Sequence, residues 1–179
     1  MVIYTGKAKY DILLTIILVI DITYFEIEGK ENIDKTLQLV KIAAEELGIK
    51  KIVVASTSGF TAEKAAETFN DLGVSLTIVG TERSRFSSDV MKKLEAKGYV
   101  VCFSREVSAD YPDTASPAFR SFSQGVKVAV QIAIIAAEKK LVSPEDDIIS
   151  IGKWDTALIV KPSDKFTDLK VRELLCMPR

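Results

Sequence analysis

From residue 23 onward, short apolar runs alternate with longer segments whose apolar residues recur every three or four positions. "TYFEI" (23–27) predicts a strand. "NIDKTLQLVKIAAEELG" (32–48) follows, with Leu37, Val40, Ala44 and Leu47 on one face and Gly48 as the stop, which predicts an amphipathic helix. The alternation continues through "KIVVA" (51–55, strand), "TAEKAAETFNDLG" (61–73, helix) and "SLTIVG" (75–80, strand). It then repeats in "SSDVMKKLEAKG" (87–98, helix) and "YVVCF" (99–103, strand). Strands and helices joined by short turns imply βαβ units, a parallel sheet and right-handed crossovers.

The second half is less regular. "SREVSADYPDTASPAFRSFSQ" (104–124) is polar, carries two prolines and reads as a loop that enters a helix. In "GVKVAVQIAIIAAEKKLV" (125–142), Val126, Val128, Val130 and Ile132 alternate like a strand. The length of the segment and its "AIIAAEKKL" continuation favour one buried helix. "DIISIG" (147–152), "TALIV" (156–160) and "VRELLCM" (171–177) close the chain as strands.

The 179 residues suffice for one substantial core, so residues 23–179 are read as a single α/β domain. Residues 1–22 stand apart. Their unbroken apolar stretch, Ile12–Ile20, is shorter than the roughly 20 residues that span a bilayer. Three readings stay open for this extension: an added apolar strand, a wrongly assigned start, or a targeting or membrane-contacting segment.

Composition removes several function classes. A net charge of −1 gives no basis for a nucleic-acid or polybasic membrane partner. With no histidine in the chain, Ser-His-Asp and Cys-His catalysis and histidine metal sites are excluded. Cys102 and Cys176 are isolated in apolar runs, which implies buried inert thiols, a reducing setting and a cytoplasmic location. No metal site is expected, because a proline-containing turn accounts for Asp110 and Asp113.

Chemistry concentrates where the second strand hands over to a helix, in "STSGFT". Ser56, Thr57, Ser58 and Thr61 offer hydroxyls beside a helix N-terminus, whose unpaired N–H groups and dipole favour an anion. Gly59 lacks a Cβ, so backbone could approach a phosphate there. Helix capping needs one hydroxyl, and four are present. The loop fits neither GxGxxG, nor GxxxxGK[ST], nor G-x-S-x-G.

"VKIAAEELGIKKIVVASTSGFTAEKAAETF" resembles the C-terminal α/β domain of pyruvate kinases, in which helix, strand, S/T-x-S-G-x-[ST]-A loop and helix occur in this order. "VAVQIAIIAAEKKLVSPEDDIISIG" and "DTALIV" are similar to that domain's last helix, strand, glycine-bearing loop and strand. Small stand-alone members of the family share "GKEN", "ELGIKKIVVAS", the D-T-A triplet and a terminal "LLCMP", so the resemblance covers about residues 24–179. It implies a three-layer α/β/α fold with a mostly parallel sheet. In many full-length pyruvate kinases the matching loop holds a phosphate of a sugar-phosphate activator. The resemblance therefore implies a phosphate anchor at Ser56, Thr57, Ser58, Gly59 and Thr61, with Gly152, Lys153, Asp155 and Thr156 as the opposite wall. It does not imply pyruvate kinase catalysis, which belongs to a (β/α)₈ barrel that this chain lacks.

Two further groups complete the candidate site. Lys153, Trp154 and Asp155 could supply a charge, a stacking face and an acceptor to a flavin or purine ring, or could form a simple hairpin. Arg83 and Arg85 follow a strand and could reach a second anion. The expectation is a binding domain for a phosphorylated small molecule, either a nucleotide-like cofactor such as flavin mononucleotide or a sugar phosphate. The alternatives are a small enzyme using Asp155 as base and Lys153 as electrostatic stabiliser, or an assembly domain without a ligand. Homo-oligomerisation is left open, as is membrane contact through residues 1–22.

Overall fold

The computed structural model describes residues 21–179, so the readings of the apolar extension fall almost wholly outside the described residues. Seven strands form one sheet: β1 (Thr23–Phe25), β2 (Lys51–Ala55), β3 (Ser75–Gly80), β4 (Val100–Phe103), β5 (Ile148–Ile151), β6 (Ala157–Lys161) and β7 (Lys170–Pro178). Their order is β1-β7-β6-β5-β2-β3-β4. Only β6 runs against its neighbours, pairing antiparallel with both β5 and β7; the remaining pairs are parallel.

The sheet is covered on both faces, which is why its central strands are continuously apolar rather than alternating. Ile52, Val53 and Val54 are all fully buried. Ile52 and Val54 pack toward α1 (Ile33–Leu47), α2 (Phe60–Thr68) and α3 (Ser88–Ala96). Val53 packs on the other face against α5 (Gln124–Glu138). The result is a three-layer α/β/α architecture. A short helix, α4 (Ala115–Arg120), lies within the segment 104–124 that reads from sequence as a loop entering a helix.

The segment that alternated like a strand is helical because it is apolar nearly all round. Val126, Ala129, Val130 and Ile132–Ala137 of α5 are buried. Its start is fixed by Ser123, whose hydroxyl accepts a hydrogen bond from the Val126 N–H at 3.0 Å. Elsewhere, the helix expected over 61–73 runs as α2 only to Thr68, and the chain reaches Gly73 through turns. Register then sets up the functional edge. Ala55 pairs with Val79 and Val54 with Ile151, so β2, β3 and β5 finish level with one another.

Candidate functional site

Beyond the C-terminal ends of β2 and β3 lies a cleft of about 540 Å³, a volume that suits a small organic ligand. One wall is the β2–α2 junction, with Ser56, Thr57 and Thr61. The floor is Val79, Gly80 and Thr81 at the end of β3, and the turn between β5 and β6 contributes Lys153 and Trp154. The far wall is a face of α5 carrying Gln124, Lys127, Val128 and Gln131. The lining contains two lysines and no carboxylate.

At the junction, the four hydroxyls divide their work. Ser56 is 5% exposed and its Oγ accepts the Ala62 N–H at 3.3 Å, so its hydroxyl satisfies a first-turn N–H of α2, whose N-cap position is Gly59. Thr57 is exposed and its hydroxyl meets that of Thr81 at 3.5 Å. Thr61 is 4% exposed and lines the cleft from the first turn of α2. Ser58 does not line the cleft; its carbonyl accepts the Ser87 N–H at 3.0 Å and ties the loop to α3.

Gly59 is required for a reason other than approach to an anion. Its φ of 102° is left-handed, and a Cβ there would stand 3.0 Å from the Val90 side chain. It lets α2 and α3 pack closely. Glu63, in the first turn of α2, is engaged by Lys93 at 3.0 Å.

The wall from α5 went unrecognised in sequence. Lys127 and Gln131 are polar residues four apart in an otherwise apolar stretch, and that spacing was the available signal. Lys127 is half-buried, donates to Gln131 Oε1 at 2.5 Å and lies 5.6 Å from the Tyr111 ring. Burial, and then the Arg120 charge, lower its pKa from the ordinary lysine value. No carboxylate pairs with it among the described residues. A desolvated ammonium without a counter-charge is a natural receptor for an anion.

The turn between β5 and β6 splits the residues expected to face a ligand. Lys153, with a left-handed φ of 67°, and the half-buried Trp154 line the cleft. Lys153 is also paired with Glu28 and sits 5.1 Å from the Trp154 ring centre. Asp155, by contrast, is fully buried away from the cleft. Its carboxylate accepts the Gly29 N–H at 3.1 Å and the Thr156 hydroxyl at 3.3 Å. Burial raises its pKa above the usual aspartate value, against the opposing Gly29 bond and Lys153 charge. A base at Asp155 acting on a ligand in the cleft is therefore not what the geometry offers.

Gly152 and Thr156 are also packing residues. A Cβ on Gly152 would overlap the Gly125 carbonyl and come within 2.7 Å of the Ala129 nitrogen, so turn and helix meet backbone to backbone. Thr156 is fully buried, with its hydroxyl 3.5 Å from that of Ser123. Arg83 is likewise outside the cleft: its guanidinium stacks 4.9 Å from the Phe103 ring and donates to Met91 sulfur at 3.4 Å. Asp110 accepts the Phe166 N–H at 3.0 Å.

The family model for the pyruvate kinase alpha/beta domain matches residues 34–160. The chain belongs to this family. The matched span opens in α1 and ends in β6, so it contains the hydroxyl junction, α5 and the Lys153–Trp154 turn. Both walls of the cleft are thus parts of the pyruvate kinase alpha/beta domain. Among the described residues, no helix is long and apolar enough to cross a membrane. No cluster of three or more Asp, Glu or Cys suited to a metal occurs among them either. Both cysteines are buried, and burial pushes each thiol up to about 11, far from thiolate reactivity at neutral pH.

Proposed function

We propose that this domain binds a phosphorylated small molecule, with its phosphate between the start of α2 and the lysines of the cleft. One observation carries the reading: Thr57, Thr61, Lys127 and Lys153 converge on a 540 Å³ space whose lining holds no negative charge. Helix dipole, hydroxyl donors and ammonium groups all favour the same ligand charge.

Magnitudes say what else the ligand needs. A hydrogen bond to a charged group contributes about 1.5–3 kcal/mol. Lost translational and rotational freedom costs at least about 4 kcal/mol. Bare phosphate then binds near the millimolar range, and micromolar affinity, about −8 kcal/mol, needs contacts to an organic body. The apolar lining at Val79, Val128 and Ile132 supplies surface for such contacts.

Calorimetric titration tests the proposal with inorganic phosphate, ribose 5-phosphate, flavin mononucleotide and riboflavin. The phosphorylated organic compounds should bind more tightly than phosphate alone, and riboflavin should bind least. Thr61→Val should weaken every phosphorylated ligand by about tenfold, one charge-assisted hydrogen bond's worth, without changing the melting temperature by more than a few degrees. Absence of binding heat and of thermal stabilisation with all phosphorylated compounds would overturn the proposal.

A further inference from the structure

Two lysines line the cleft, and they are held differently. Lys153 is paired with the Glu28 carboxylate. Lys127 has the neutral Gln131 amide oxygen, one helical turn further along α5, and the face of the Tyr111 ring. Asp113 lines a neighbouring space of about 300 Å³ that Lys127 also borders, yet the two form no ion pair. An amide oxygen orients an amine without compensating its charge. A glutamate at the same spacing would hold the proton in an ion pair.

The surroundings of Lys127 disfavour its charged form. The side chain is half-buried, and Val128 and Ile132 add apolar surface to the same lining. Burial first, and then the guanidinium of Arg120 at the end of α4, lower its pKa from the ordinary lysine value. Removal from water and a neighbouring cation are the two influences that turn a lysine into an amine nucleophile.

Position supplies what reactivity alone does not. Lys127 shares the cleft with Thr57 and Thr61 at the start of α2, so a ligand anchored there by its phosphate keeps its remaining atoms within the same 540 Å³. Resting on the binding function proposed above, we propose that Lys127 is a carbonyl-capture site: a phosphorylated aldehyde or ketone in the cleft forms a reversible imine with its Nζ. The ammonium gives one proton to water, and the free amine attacks the carbonyl carbon. A proton then passes from nitrogen to oxygen, giving a carbinolamine. Its hydroxyl takes up a proton and leaves as water while the nitrogen lone pair forms the C=N bond. Ammonium and carbonyl thus become a protonated imine and one water. Nothing is oxidised or reduced, and the positive charge beside the phosphate is kept.

The test uses pyridoxal 5′-phosphate as the phosphorylated aldehyde and pyridoxal as its counterpart without phosphate. Each is incubated with the full chain, reduced with borohydride and located by peptide mass spectrometry. Pyridoxal 5′-phosphate should label Lys127 ahead of every other lysine, and about tenfold or more faster than pyridoxal does. Flavin mononucleotide should protect Lys127 from it. Lys127→Arg keeps the charge but has no nucleophilic amine, so labelling in the cleft should vanish while flavin mononucleotide still binds. Label that falls on Lys153 or spreads over exposed lysines, with flavin mononucleotide still bound, would overturn the covalent site while the phosphate site stands. Failure of every phosphorylated compound to bind removes the phosphate site and this proposal together.

Discussion

The two ends of the sheet each carry a cleft, and the larger one is the less informative. At the N-terminal ends of β2 and β5, a space of about 680 Å³ is lined by Lys50, Lys51, Glu145, Asp146, Asp147 and Arg172. Its lining mixes both signs of charge, and two ion pairs form within it: Lys51 pairs with Asp146 and Arg172 with Asp147, each at 3.5 Å. At the opposite end, the smaller cleft holds hydroxyls and two lysines with no acid among its lining; Lys153 reaches out to Glu28, but no carboxylate pairs with Lys127 among the described residues. Volume describes room, whereas unneutralised charge describes an unmet interaction. The second property separates a receptor from a dent in the surface.

The largest effect should come from the contact that builds the smaller cleft. Gly152→Ala drives a methyl group into the Gly125 carbonyl, and neither backbone can yield cheaply. The expected loss is about 3 kcal/mol by urea denaturation. A change within the error of the measurement would mean that helix and turn are not locked together.

Next in size is the contrast between the two ends themselves. Lys127→Gln should weaken binding of flavin mononucleotide by about tenfold, since it removes a charge from a half-buried position. Lys51→Gln should leave that affinity unchanged and cost at most about 1 kcal/mol of stability, because its ion pair is exposed. Equal affinity losses from the two variants would erase the distinction.

The smallest effect concerns Asp155. A carboxyl whose pKa is raised by folding binds its proton more tightly in the native state, so its contribution to stability falls as pH rises. That fall begins near the unfolded aspartate value of about 3.9 and is complete above the raised native value. Asp155→Asn should flatten the stability profile across this window. Identical slopes in the two proteins would show that Asp155 is not the group responsible.

Most of the architecture is legible from the sequence, because strands covered on both faces must be apolar throughout and the helices between them must show a stripe. Antiparallel β6 is the exception to the parallel rule, and the two-residue-period alternation that follows Gly125 belongs to a helix buried almost all round. The site is legible only in part. The hydroxyl junction and the Lys153–Trp154 turn announce themselves, since polar residues at the ends of buried strands have few other reasons to cluster. Lys127 and Gln131 do not, because the face of α5 that meets solvent is decided by what the helix packs against. Gly59, Gly152 and Asp155 mislead in the other direction. Their chemistry suits a ligand, but close packing and a buried backbone N–H already use it.

Glu28, Gly29 and Lys30 meet Lys153, Asp155 and Trp154 respectively: an ion pair, a hydrogen bond at 3.1 Å and an ammonium 5.6 Å from the indole. Three neighbours near the start of the described chain thus grip three consecutive residues of the turn whose Lys153 and Trp154 line the cleft. An anion that recruits Lys153 must share that ammonium with Glu28. Occupancy of the cleft and the hold on the incoming chain draw on the same charge, so whichever strengthens does so against the other.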